Sequence, residues 1–216
     1  PKSIWVILGL IIAWNIAYPS ATWRYKMTVV VDTPEGEKTG SAVRKVKAYC
    51  GPAIRPDGSF GSCKARLAKG EAVVVDLGQR GVLFALMTGP GNVDYGHQIV
   101  FEAFPYPHSV AGPLSWGGIQ YYRFLNYFSI KADPVVLVPE QYPVFVRFRD
   151  IKDAKTMENV YETEYADMKY PYGGHELRFQ VKADRFEEKF GQGVSLKEVS
   201  IEITNEPVTT IAEKIL

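Results

Sequence analysis

The sequence predicts an α+β fold that is mainly β: one antiparallel-sheet domain with a few short helices, preceded by an apolar N-terminal helix. Three observations lead to this prediction. Several segments show the period-2 alternation of half-buried strands, and glycine and proline punctuate them at short intervals. Predicted strands and helices do not alternate regularly, as they would in a doubly wound parallel sheet. The 216 residues are enough for one large domain.

The most apolar stretch of the chain is IWVILGLIIAWNIA, residues 4–17. With Tyr18 it would form a helix of about 22 Å, whereas the hydrocarbon core of a bilayer is about 30 Å thick. We interpret residues 4–18 as a retained membrane anchor, because cleavage after Ala17 or Ala21 would lack the small residue that signal peptidase needs at position −3. A cleaved signal peptide and a buried core helix are the alternatives. Four flanking aromatic residues are typical of a membrane interface: Trp14, Tyr18, Trp23 and Tyr25.

This interpretation divides the chain into an anchor or uncleaved signal at residues 1–21 and a single β-rich domain at residues 22–216. The first half of the domain begins with WRYKMTVVVD, whose alternation predicts a strand, and SAVRKVKAY predicts its hairpin partner after the turn TPEGEKTG. The apolar runs EAVVVDLG and VLFALM predict two further strands, which we expect at the centre of the sheet because they lack a polar face.

The second half of the domain contains further strands and a few short helices. VFVRFRD, ELRFQVKA and VSLKEVSIEIT predict strands, whereas the polar segment YETEYADMKYPYGGHE predicts a loop. A helix is favoured over a strand for IQYYRFLNYF, whose predicted face carries Tyr121, Phe124, Leu125 and Phe128. DIKDAKTMENV suggests a short helix. The best-marked helix is ADRFEEKFG, with Asp184 as its N-cap and Gly191 as its stop.

The two cysteines, Cys50 and Cys63, enclose an irregular loop of 12 residues that is rich in glycine and proline. We predict a structural disulfide, with two free thiols as the alternative. A bridge across such a loop stabilises a fold by about 3 kcal/mol in the chain-entropy model. A disulfide indicates an oxidising compartment. Together with the anchor, it predicts a domain on the periplasmic side of a bacterial inner membrane, held by a single span.

Three segments, YPSATWRYKMTVVVDTPEG, GEAVVVDLG and VFVRFRDIKD, resemble a group of uncharacterised bacterial envelope proteins. Those proteins also begin with a hydrophobic segment that is followed by a strand of this type. The resemblance covers most of the chain and implies a shared fold and an envelope location. It implies no activity and transfers no catalytic or binding residue.

The strongest functional hint is a region rich in glycine, proline and aromatic residues, 88–128. Such a region could form a ligand pocket, a protein contact or a membrane-facing rim, although its aromatic side chains could also fill the core. The residues we select as binding candidates are Trp116, Tyr106, Tyr121 and Tyr122.

Signals for catalysis are weak. The chain has no nucleophile elbow, phosphate-binding loop or metal-ligand spacing, and no cofactor or metal is predicted. The weak catalytic candidates are His97, His108 and Asp76. Asp76 is also well placed to form the turn after its strand. The formal net charge of +1 gives no reason to expect nucleic acid as a partner.

The sequence therefore favours a non-enzymatic, membrane-anchored extracytoplasmic protein that binds another protein or a small apolar or glycan ligand through residues 88–128. An anchored periplasmic hydrolase is one alternative. An accessory subunit of a membrane protein complex is the other, because Asn15 within the apolar segment would favour helix–helix contacts.

Overall fold

The computed structural model describes residues 2–18, 20–51, 63–105, 114–127, 133–169 and 175–210. The helices in these ranges are α1 (Lys2–Ala17), α2 (Tyr95–Ala103), α3 (Trp116–Tyr127) and α4 (Phe186–Phe190). The strands are β1 (Ser20–Asp32), β2 (Lys38–Cys50), β3 (Cys63–Lys69), β4 (Val73–Asp76), β5 (Val82–Ala85), β6 (Val135–Val136), β7 (Phe145–Phe148), β8 (Met157–Asn159), β9 (Tyr161–Lys169), β10 (His175–Asp184) and β11 (Ser195–Ile203). The α+β, mainly β fold class is confirmed.

The largest sheet has five antiparallel strands in the order β3-β2-β1-β11-β6. Its centre is β1, which pairs with β2 as the predicted hairpin and with β11 on its other side. Alternate β1 side chains point into the core, as the sequence pattern predicts. The buried ones are Ala21, Trp23, Tyr25, Met27, Val29 and Val31. Gly36, with φ at 108°, allows the tight turn between the two strands.

A second sheet contains four strands in the order β4-β5-β7-β8. The expectation that β4 and β5 form the centre of one sheet is therefore wrong: β4 is an edge strand of this smaller sheet. It nevertheless has an apolar run because it packs against β1 and β2 of the large sheet. The sheets come so close at Gly40 that an added Cβ would collide with the carbonyl oxygen of Val74.

A third sheet is the two-stranded hairpin of β9 and β10. The loop predicted at residues 161–176 is wrong, because its first part forms β9. Tyrosine and threonine favour strands even between acidic residues. The predicted helix at 150–160 is also wrong. This segment contains one 3₁₀ turn, Ala154–Thr156, and continues into β8.

The helices α3 and α4 confirm two predictions, with corrections of detail. In α3 the buried face carries Ile119, Tyr122 and Leu125, whereas Phe124 is exposed. Of the predicted face, Leu125 is therefore buried and Phe124 is exposed, and Phe128 lies outside the described residues. In α4 the N-cap residue is Arg185 rather than the predicted Asp184. Asp184 lies one residue earlier, and its carboxylate accepts a hydrogen bond from the backbone N–H of Phe186.

Candidate functional site

The N-terminal helix α1 presents apolar side chains to its surroundings. Seven of its large apolar residues are 44–74% exposed: Ile4, Trp5, Val6, Ile7, Leu8, Leu10 and Trp14. Trp14 stacks at a tilt on Tyr18, with 4.5 Å between the ring centroids. Only two residues separate the last residue of α1 from the first residue of β1. Among the described residues, no helix reaches the combined length and hydropathy that a membrane-crossing segment requires.

The aromatic region at 88–128 is divided between the core and the surface. Tyr95, Phe104 and Tyr122 are buried, and their positions are fixed by hydrogen bonds. The Tyr95 hydroxyl donates to the carbonyl oxygen of Gln141, and the Tyr122 hydroxyl donates to that of Phe104. Much of the region therefore fills the space between α2, α3 and the large sheet.

Trp23 is the centre of this aromatic packing. Its ring lies 5.9 Å from that of Phe101 and 5.4 Å from that of Tyr122. The indole nitrogen of Trp23 is buried without a hydrogen-bond partner in the described part of the chain. The aromatic contacts of this side chain join β1 to α2 through Phe101 and to α3 through Tyr122.

The outer side of α3 carries a shallow groove of about 510 Å³. Its described lining residues all belong to α3: Gly117, Gln120, Tyr121, Arg123, Phe124 and Tyr127. Phe124 is 50% exposed and Tyr127 is 77% exposed. Because Tyr121, Phe124 and Tyr127 lie three residues apart, they form a stripe along one side of the helix.

The four predicted binding residues have different positions. Tyr121 lies in the groove, whereas Tyr122 is fully buried and belongs to the core. Trp116 is the first residue of α3, but its side chain is not described, and Tyr106 lies outside the described residues. Phe124 and Tyr127 were not selected from the sequence, although their three-residue spacing from Tyr121 was a signal that could have found them.

The weak catalytic candidates do not form a site in the described structure. The carboxylate of Asp76 accepts a hydrogen bond from the backbone N–H of Gly78 and so forms the turn after β4. His97 lies on α2, is 7% exposed, and has Nδ1 at 4.0 Å from a carboxylate oxygen of Asp94. His108 lies outside the described residues. The described part of the chain contains no cluster of His, Cys, Asp and Glu that could hold a metal ion.

His97 is expected to make the protein less stable in acid. Burial lowers its pKa below the ordinary value of 6.5, and the nearby Asp94 carboxylate offsets part of this effect. The unfolded chain then takes up the proton first, so the stability contribution is complete above pH 6.5 and is lost as the pH falls through the folded-state pKa. Urea titrations at pH 7.5, 6.5 and 5.5 should show that the free energy of unfolding falls less in His97→Gln than in the wild type. An equal loss in both proteins would contradict this assignment.

The predicted disulfide between Cys50 and Cys63 is confirmed. The two residues are direct partners in the register of β2 and β3, so the bridge joins these strands at the end of the sheet nearest to α1. The backbone N–H of Cys63 also donates to the carbonyl oxygen of Leu114. The disulfide therefore holds β2 and β3 close to the start of α3.

A fully buried cation, Arg44, is a feature that the sequence analysis missed. Its Nε donates to the carbonyl oxygen of Glu71 at 3.0 Å, and one terminal nitrogen donates to those of Ala85 and Leu86 at 3.3 Å. The other terminal nitrogen lies 3.6 Å from the sulfur of Met27. Arg44 on β2 thus connects both sheets. No pattern in SAVRKVKAY distinguishes this arginine from the less buried lysines of the same strand, Lys45 and Lys47.

A second, smaller pocket of about 200 Å³ lies between the second and third sheets. Its walls include Tyr142, Phe145 and Tyr161 together with prolines. Burial raises the pKa of the Tyr142 and Tyr161 hydroxyls above the ordinary value of 10.0, at which a tyrosine is already neutral near pH 7. The pocket is below the roughly 300–1,000 Å³ of typical ligand sites.

No protein-family model matches the sequence, and no curated protein or solved structure is detectably similar to it. The function is therefore inferred from α1, from the groove on α3 and from the chemistry of the surfaces around them.

Proposed function

We propose that the protein is a non-enzymatic binding protein, anchored by α1 in a bacterial inner membrane, whose domain contacts another protein through the groove on α3. The observation that carries this proposal is the exposure of the apolar side chains along α1. Exposed apolar patches of this extent mark contacts with a membrane or with protein. The hydrogen bonding of Asp76 and the burial of His97 favour binding over hydrolysis.

The membrane is the environment that suits α1 best. Its 16 residues form a helix of about 24 Å, and local bilayer thinning or contacts with partner helices can accommodate a helix somewhat shorter than the hydrocarbon core. Trp14 and Tyr18 then lie at the membrane interface, where aromatic residues are enriched.

The disulfide between Cys50 and Cys63 supports the periplasmic side of that membrane. Disulfides persist in oxidising compartments and are rare in the cytosol. The positive charges at the two ends of α1 do not decide the orientation, because Lys2 is the first residue of the helix whereas Arg24 and Lys26 follow it.

The groove on α3 suits a protein partner better than a small ligand. Small-ligand sites enclose most of the ligand surface, whereas the described residues of this groove belong to a single helix. Tyrosine, phenylalanine and arginine are also the residue types enriched at protein interfaces. We therefore assign the stripe of Tyr121, Phe124 and Tyr127 to a helix or flat surface of a neighbouring membrane protein.

Replacing Phe124 and Tyr127 with serine is expected to release the partner. The two side chains are 50% and 77% exposed, so the contact loses apolar area. Native electrophoresis of membranes in mild detergent should show the wild-type chain in a complex larger than its 24.2 kDa, and the variant as a monomer. The control Val93→Ser/Val138→Ser removes exposed apolar residues elsewhere and should keep the complex. A monomeric wild-type chain would contradict the proposal.

A further inference from the structure

Positive charge is concentrated in one segment of the chain, residues 38–70. This segment has eight basic residues and one acidic residue, so the rest of the chain, with 17 basic and 23 acidic residues, is net negative. The basic residues are Lys38, Arg44, Lys45, Lys47, Arg55, Lys64, Arg66 and Lys69, and the acidic residue is Asp57. The formal net charge of +1 conceals this separation.

The fold places five of these cations on the outer face of the large sheet. We name the surface formed by Lys45, Lys47, Lys64, Arg66 and Lys69 the basic patch. All five lie on β2 and β3, and their register brings them together: Lys47 is opposite Arg66, and Lys45 is opposite Lys69. Within the described structure none of the five takes part in an ion pair or a side-chain hydrogen bond, whereas other surface cations do.

The basic patch lies at the end of the sheet that continues into α1. Ser20, the first residue of β1, is opposite Tyr49, and Tyr49 is opposite Lys64. Lys47 and Arg66 follow two residues further along, at about 7 Å from this row. Tyr49 itself is 46% exposed. Lys64, Lys47 and Arg66 are thus within side-chain reach of the headgroup layer in which α1 would emerge.

We propose that the basic patch binds the anionic phospholipid headgroups of the membrane that holds α1, which rests on the proposed function of α1 as the anchor. Basic clusters beside a membrane helix bind anionic lipid through their charge, and an exposed tyrosine suits the interface. The disulfide between Cys50 and Cys63 stabilises the end of β2 and β3 that carries Tyr49 and Lys64. The contact fixes the orientation of the domain on the membrane.

The test uses the full chain carrying Ile7→Asp/Leu10→Asp, which we name the anchor variant. These substitutions prevent insertion of α1, so that binding to vesicles is reversible. Flotation with vesicles of phosphatidylcholine containing 30% phosphatidylglycerol should show binding in 0.1 M NaCl that is lost in 0.5 M NaCl, because salt screens exposed charges. Vesicles of phosphatidylcholine alone should not bind. The same variant with the further substitutions Lys47→Gln/Lys64→Gln/Arg66→Gln should bind the anionic vesicles about 100-fold more weakly, since each lost cation lowers affinity about fivefold.

The matched control, Lys38→Gln/Lys152→Gln/Lys155→Gln, makes the same change in net charge away from the basic patch. It should bind the anionic vesicles as tightly as its parent. The proposal is overturned if the control weakens binding as much as the patch variant does, or if the parent does not prefer anionic vesicles. Tighter binding to single-stranded RNA than to the vesicles would also overturn it.

The two proposals fail in different ways. If α1 is not an anchor, the wild-type chain and the anchor variant will associate equally with neutral vesicles, and the comparison on anionic vesicles still tests the basic patch. If the basic patch does not bind lipid, the wild-type chain will still insert into both kinds of vesicle, with no effect of the three glutamines.

Discussion

Placing aspartates at Ile7 and Leu10 is expected to move the protein from the membrane fraction to the soluble fraction. The two side chains are 57% and 66% exposed on α1, so the substitutions leave the packing of the domain unchanged. An aspartate near the middle of a membrane helix costs about 2.5–3.5 kcal/mol. Two of them lower the membrane partition of α1 by a factor of more than about 10³.

Fractionation of cells after carbonate extraction measures this effect. The wild-type chain should stay in the pellet, and the anchor variant should appear in the supernatant. As a control, Val93→Asp/Val138→Asp places the same two charges at exposed apolar positions outside α1, and this protein should stay in the pellet. If the anchor variant also stays there, the membrane assignment of α1 is wrong.

Replacing Arg44 with alanine is expected to lower the free energy of unfolding by about 3–5 kcal/mol. The substitution removes hydrogen bonds to the carbonyl oxygens of Glu71, Ala85 and Leu86 and leaves a cavity between the two sheets. Buried acceptors that lose their donor each cost about 1–3 kcal/mol. Urea denaturation followed by tryptophan fluorescence gives the difference directly.

Two further variants separate the causes of this loss. Arg44→Met keeps most of the volume without the charge, so its cost should be smaller than that of alanine, as for other buried ions replaced by apolar residues. Lys45→Ala removes a half-buried cation on the outer face, at the adjacent position, and should change stability by no more than about 0.5 kcal/mol. Equal stability of Arg44→Ala and the wild type would show that Arg44 does not connect the sheets.

The strands were predictable where one face alone is buried. In β1, at the centre of the large sheet, each inward residue from Trp23 to Val31 is apolar and buried. This gives the alternation that predicts the strand. The prediction failed at β9, where Tyr161 and Thr163 alternate with Glu162 and Glu164 and the hydrophobic contrast between the two faces is weak. It also failed for the sheet order, because β4 has an apolar run but lies at an edge.

The candidate binding surfaces were predictable only in part. The high aromatic content of residues 88–128 indicated a core or a contact, and the structure contains both: Tyr122 is buried, whereas Phe124 is exposed. Which side of α3 is buried depends on its crossing of β1, which is a long-range contact. The excess of cations between residues 38 and 70 is visible in the sequence, but a balanced total charge hides it from a composition-based analysis.

The sequence by itself determined the apolar N-terminal segment, the hairpin of β1 and β2 and the cysteine pair, because each depends on neighbours along the chain. Only the tertiary structure decided that Arg44 is fully buried while Lys45 is half-buried and Lys47 is exposed. Adjacent strand positions point to opposite faces, and the choice of face depends on what the second sheet covers. The same long-range packing decided which aromatic residues of α3 remain on the surface.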